Sequence, residues 1–222
     1  MLSLEPGADM TSVSTSVMDR LRESTAVLHE DSEKHAFQCA LASGNLPRTT
    51  YVAYLSQLFL MHQSLEQHLR AHWESIPAFQ SVIKEHQFQE KYLYKDLVYF
   101  EVDAQKVVPT AATRYIMSQI ESSAHANPIA LLGYHYVLEG SNNGAKLLAK
   151  STRKAFELPE NSGTNYLNPY GEKQREWWLA FKQDMNSVNF SEDEILKIIE
   201  AAKIMFAGFV SIGSDLLAIL RF

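Results

Sequence analysis

What this sequence has little of narrows the field first. A single cysteine, Cys39, stands among 222 residues, so no internal disulfide can form. That usage fits a reducing cytoplasm and excludes a disulfide-stapled secreted scaffold. Proline and glycine number only seven and nine, which favours long uninterrupted elements. No apolar run reaches the roughly 20 residues of a membrane-spanning helix, and the N-terminus lacks the basic-then-apolar order of a secretory signal. No membrane span is expected. Positive charge is in deficit, with 20 Lys and Arg against 26 Asp and Glu and a net charge of −6. Phosphate contacts need the opposite balance, so no nucleic-acid partner is expected either. Period-two alternation is never sustained, which removes strands and the phosphate loops and nucleophile elbows that follow them.

What is present is apolar, aromatic and helical. A hydrophobic fraction of 46%, with ten Tyr and eleven Phe, suffices for one core at this length without structural metal or disulfide. Residues 1–13 carry no period and read as a flexible leader. Residues 14–222 read as a single all-α domain, a bundle of seven or eight helices. Val17, Leu21, Leu28, Ser32, Ala36 and Ala40 recur at helical steps and predict a first helix that Asn45 and Pro47 end. Tyr51, Leu55, Phe59, His62, Leu65, Leu69 and Trp73 predict a second over 49–73. Leu93, Leu97 and Phe100 mark a shorter one; Pro109 opens another to about residue 122, and Pro128 a long one to about 156. The clearest loop is 160–171, ENSGTNYLNPYG, and helices over 172–186 and 192–220 complete the set.

The eight histidines all lie at or before His135. A carboxylate-bridged di-iron site draws Glu and His from several helices at one-turn spacing. His135 with Glu139 and His68 with His72 have that spacing, which on an amphipathic helix is more often an ordinary surface feature. The last helix offers only Glu200 and Asp215 and no histidine. Cys39, beside Phe37 and Ala40, reads as a small buried hydrophobe before it reads as a nucleophile.

The most unusual stretch is YVLEGSNNGAK, 136–146. Gly140 and Gly144 share one helix face, and each costs roughly 1 kcal/mol against Ala. Such a cost fits a backbone that bends or approaches something flat or bulky, and equally fits close helix packing through small residues. Ser141, Asn142 and Asn143, disfavoured inside helices, tip the balance toward a ligand with ordered water. His29, alone, would read as a satisfied core histidine. Paired with a polar, glycine-bearing helix, it reads as an axial imidazole facing a close backbone wall.

Together these segments resemble the heme oxygenase family, in particular its soluble bacterial branch. The first match is Arg22-Glu23-Ser24-Thr25 leading to His29. The second, more specific, is Tyr136 through Ala145; a third is the N-P-Y-G loop at 168–171 before a tryptophan-bearing helix. The C-terminal run from Phe181 to Phe206, with its Met185-Asn186 pair, is also similar, so the resemblance covers the chain after residue 14. It implies an all-α bundle with heme sandwiched between a proximal helix and a kinked distal helix. It implies His29 as the iron ligand, Gly140 and Gly144 as the close distal wall, and Ser141 and Asn142 as organisers of proton-delivering water. Arg22, Tyr136 and Lys182 match heme-propionate positions that orient the ring. The implied reaction cleaves heme with O₂ and external electrons to biliverdin, CO and ferrous iron, heme being substrate and cofactor. No flavin or nicotinamide motif appears, so a ferredoxin or flavin reductase would supply electrons, and Lys146, Lys150, Arg153 and Lys154 could dock it or simply be a solvated helix end. Ser141 departs from the acidic residue of mammalian relatives, and Ala145 from their second glycine. A non-catalytic heme binder, or a di-iron or thiaminase-like member of the same superfamily, is the alternative.

Overall fold

The computed structural model describes residues 16–160 and 162–219, so the expected leader at 1–13 lies outside the described residues. Those residues form nine α-helices and no strand: α1 (Val17–Lys34), α2 (Ala36–Ser43), α3 (Arg48–Ala71), α4 (Pro77–Val82), α5 (Glu90–Tyr99), α6 (Ala111–Ala126), α7 (Leu131–Phe156), α8 (Gln174–Ser187) and α9 (Glu192–Ile219). The all-α expectation holds, with two differences in the count.

The predicted first helix is split. Ser16 caps α1 by accepting from the Asp19 amide at 3.2 Å, but at His35 the backbone turns extended (ψ 139°). The His35 side chain then becomes the cap of the next helix: Nδ1 accepts from Phe37 N at 3.4 Å, while Nε2 meets Ser214 Oγ on α9 at 3.0 Å. His35 thus ends one helix and caps the next, and the turn places Phe37 fully in the core. Gly44 ends α2 at φ +74°, a left-handed position that suits glycine. The other difference is α4, six residues with Pro77 in its first turn. Only Phe79 and Val82 are buried from it, too few for a period to show in the sequence.

α9 is the element on which α1, α2, α3, α6 and α7 all pack. Its buried face runs Ile195, Ile198, Ile199, Ala201, Ala202, Met205, Gly208, Phe209, Ile212, Gly213 and Leu216. Small residues set the closest approaches. A Cβ built on Gly133 of α7 would lie 2.0 Å from the Ile198 carbonyl oxygen, and one on Gly208 would lie 2.4 Å from Ile116. Asp215, near the end of α9, accepts from the Ala112 amide at 2.9 Å and so helps close the start of α6.

Candidate functional site

Past its first half, α1 leaves the core. Val17, Met18, Leu21 and Thr25 are buried, but from Ala26 onward every residue is half-buried or exposed, Val27 and His29 included. The His29 ring meets Phe206 of α9 edge-on, centroids 5.6 Å apart, and its Nδ1 faces Glu33 Oε2 at 3.7 Å. A carboxylate on Nδ1 favours the tautomer whose Nε2 is the free ligating nitrogen. Among the described residues, that Nε2 makes no hydrogen bond, and the imidazole is 57% exposed.

Opposite in character is α7. It is continuous through both glycines, and Gly133, Gly140 and Gly144 fall on nearly the same stripe, because eleven residues are close to three turns. Along that stripe the neighbours recede. A Cβ on Gly133 would collide with α9; one on Gly140 would sit 3.5 Å from Trp178 of α8; one on Gly144 would meet nothing within 4 Å. The tightest packing on the stripe thus belongs to Gly133, Gly140 leaves room for ordinary contact with Trp178, and Gly144 borders open space. Ser141 and Asn142 face differently. Ser141 is exposed and donates to the Leu138 carbonyl at 2.7 Å, whereas Asn142 is buried and its Nδ2 has no partner among the described residues. An unpaired buried amide fits an ordered water. Asn143 donates back to the Gly140 carbonyl at 3.0 Å.

Tyr136 of α7 lies within reach of the charge of Arg22 on α1, and it shares the Trp178 indole with Lys182 of α8. Burial pushes the Tyr136 hydroxyl up, while a hydrogen bond with Thr25 and the charge of Arg22 draw it down. Tyr136 lies 6.1 Å from Trp178, ring centre to ring centre, and Lys182 Nζ lies 6.0 Å from the same indole.

Sequence reasoning missed a buried polar network beneath this region. On α3, His62 Nδ1 meets Glu66 Oε1 at 3.2 Å and Nε2 meets Tyr166 Oη at 3.1 Å. Glu66 Oε1 also accepts the Gln89 and Glu90 amides at 2.7 and 2.8 Å. On α7, His135 Nε2 donates to Gln87 Oε1 at 3.1 Å, and Glu139 Oε1 accepts from Tyr170 Oη at 2.6 Å and Gln89 Nε2 at 3.1 Å. Burial pushes His135 down to about 4 and Glu139 up to about 8, so both are neutral at pH 7. The available signal was His62 and Glu66 one turn apart inside an otherwise apolar stripe, and His135 with Glu139 likewise. Among the described residues, no three His, Cys, Asp or Glu side chains form a cluster able to hold a metal ion. Cys39 is exposed rather than buried, its Sγ 3.6 Å from the Glu33 and Lys34 carbonyls. It ends up there because the break at His35 rotates α2 so that Phe37 and Leu41, not Cys39, face inward.

The family profile described as heme oxygenase matches residues 15–215. The chain belongs to the heme oxygenase family. A heme oxygenase of Rhodella violacea is 25% identical over 203 residues, covering 86% of this chain and 83% of the relative. Heme oxygenase from Leptospira interrogans has the same fold, with a TM-score of 0.84 at 23% identity over 90% of this chain and all of that one. Heme oxygenase-2 from Synechocystis, solved with heme and NO, gives a TM-score of 0.87 at 23% identity over 93% and 87%. At such identities the solved structures speak to the fold: a single helical domain of the heme oxygenase type. No helix among the described residues is long and apolar enough to cross a membrane.

Proposed function

We propose that this member of the family is an active heme oxygenase, converting heme to biliverdin, CO and ferrous iron with O₂ and electrons from a separate donor. One observation carries the reading: an imidazole presented outward on α1, Nδ1 toward a carboxylate and Nε2 free. The chain fits the group in two further respects, the receding glycine stripe of α7 and the unpartnered Asn142 amide. Bound heme would supply the iron that reduces O₂ and the ring that is cleaved. His29 would ligate the iron through Nε2, with Glu33 on the Nδ1 side of the ring. Arg22, Tyr136 and Lys182 would hold the propionates and so orient the ring. Exposed ion pairs of that kind are worth only about 0–1 kcal/mol each, so their effect is on orientation more than affinity.

Gly140 and Gly144 would let the distal backbone approach closely, and Ser141 and Asn142 would order the water that carries protons. A ferredoxin or flavin reductase of the cytoplasm would deliver electrons, with Lys150, Arg153 and Lys154 available to meet an acidic surface; Lys146 is paired with Glu172 at 2.8 Å. Mixing the protein with heme, a reductant and O₂ tests the reading. A biliverdin spectrum should grow in, and His29→Ala should lose both the ligated-heme spectrum and at least tenfold in rate. Heme bound tightly without conversion would leave a carrier and sink the proposal.

A further inference from the structure

Eight histidines stand in the chain, and five of them are accounted for. The rings of His35, His62 and His135 are hydrogen-bonded, to Ser214, to Glu66 and Tyr166, and to Gln87. His86 stacks on Trp177 with ring centres 3.9 Å apart, and His29 faces Glu33 as the candidate heme ligand. The remaining three, His68, His72 and His125, gather at one end of α3 and α6. His68 and His125 meet edge to face across the seam between these helices, ring centres 6.3 Å apart. His72 follows His68 by one turn and Glu121 precedes His125 by one turn; the charges of Glu121, His125 and His72 all reach the His68 ring.

Packing holds this seam in place. α3 and α6 run side by side in the same direction, since Gln57 Oε1 accepts the Thr110 amide at 2.9 Å where α6 starts and His68 meets His125 near its end. Leu65 and Leu69 on α3, and Ile120 and Ala124 on α6, are buried within about a turn of the two rings. His125 is exposed and His68 half-buried, so the pair is open to solvent. Both histidines fall in a last helical turn, where unpaired carbonyls make the helix end partially negative and favour a cation. Glu121 adds to that field. Arg70, the other cation in the last turn of α3, is turned away onto the Phe88 ring, 4.0 Å from its centre.

We propose that His68 and His125 clamp a divalent zinc, nickel or copper ion across the α3–α6 seam, with water completing its shell. Imidazole nitrogen suits these ions, whereas magnesium and calcium take oxygen. The spacing of His68 and His72 alone is that of an ordinary surface pair; His125, from another helix, is what makes a clamp. Two metal–nitrogen bonds of about 2 Å set ring centres roughly 5–6 Å apart, so the pair has to close by only about an ångström. No third donor converges on the two rings as the side chains stand. The site is therefore an open one with two protein ligands, unlike a closed four-ligand structural centre. An ion held there ties two helix ends together and stabilises the folded chain by binding it alone.

Zinc titrated into the heme-free protein tests the clamp, followed by ring ¹⁵N resonances and by thermal unfolding. The His68 and His125 rings should shift together and saturate at one ion per chain, and magnesium should shift neither. With zinc a hundredfold above its Kd, the unfolding midpoint should rise by on the order of 5 °C. His68→Asn and His125→Asn should each weaken zinc binding by more than about tenfold, the least that loss of even an outer partner costs a metal site. His72→Asn should change it little. Should His68→Asn fail to fold, His125→Asn decides alone, its side chain being exposed. Zinc that shifts neither ring, or shifts them no more than the other surface histidines, is an adventitious ion only and overturns the clamp. Binding that survives His125→Asn but not His72→Asn puts the ion along α3 alone and overturns it as well. The titration is made without heme, so its failure leaves the heme oxygenase reading standing.

Discussion

Gly133 and Gly144 sit on one stripe of one helix and do opposite work. Around Gly133, α7 is pressed against the α9 backbone so closely that no Cβ fits. Around Gly144, the same stripe borders open space. Residue type is equal at the two positions; the environment differs. Glycine in the first case is required by packing, and in the second it costs helix stability without any packing return. The contrast extends to polarity. The buried half of α7 carries His135 and Glu139 in a hydrogen-bonded network, whereas the open half carries Ser141, Asn143 and Lys146 toward solvent.

The sharpest way to break the contrast is at the packed end. Gly133→Ala places a methyl 2.0 Å from a backbone oxygen, which only a shift of α7 off α9 can relieve. Overpacking of that kind costs about 3 kcal/mol or more, and thermal or denaturant unfolding of the heme-free protein should show it. Unfolding with an unchanged midpoint would contradict the packed face.

The buried network gives the next largest effect, and it has two signs. Glu139, raised from 4.5 to about 8, contributes stability that is full below about pH 4.5 and lost as pH rises through about 8. His135, lowered from 6.5 to about 4, contributes stability that is full above pH 6.5 and lost as pH falls through about 4. Between 4.5 and 6.5 the two slopes oppose. Glu139→Gln should therefore flatten the decline in stability toward alkaline pH, by on the order of a few kcal/mol, and leave the acid limb in place. Urea midpoints measured from pH 4 to 9 would show an unaltered alkaline limb if Glu139 were ionised in the native protein.

The smallest effect belongs to the open end. Gly144→Ala should raise the stability of the heme-free protein by about 1 kcal/mol, the propensity difference with no steric cost, while weakening heme binding or turnover. A Tm that falls, or heme chemistry that is untouched, would remove the open wall from the functional reading.

These outcomes bear on what the sequence could and could not disclose. The stripe of α3 and the prolines at 109 and 128 ahead of α6 and α7 are local patterns, and both were legible. His29 and the glycine-bearing stretch could be picked out by residue type and spacing, while their pairing across a heme belongs to the proposal. The break at His35 was not legible, because it depends on Ser214, 179 residues away. Nor was the buried network: His62 meets Tyr166 across 104 residues and Gln89 meets Glu139 across 50. Polar residues inside an apolar stripe announce that partners exist, but their identity is a property of the folded chain. The exposure of Cys39 was misread for the same reason, its neighbours on α2 being apolar while its own side faces out.

The receding stripe has a mechanical side. From Gly133 to Gly144 α7 spans about 16 Å at 1.5 Å per residue, with its contact on Ile198 at one end as a fulcrum and the aperture at the other as the tip of a lever. A rotation of a few degrees at the fulcrum displaces the tip by roughly an ångström, a misplacement large enough to change the rate of a positioned reaction. In the proposed heme site, the space beside Gly144 would therefore be set from inside the protein, by the volume of side chains on α9. Substitutions at Ala201 or Ala202 should retune the aperture with no change to any residue lining it.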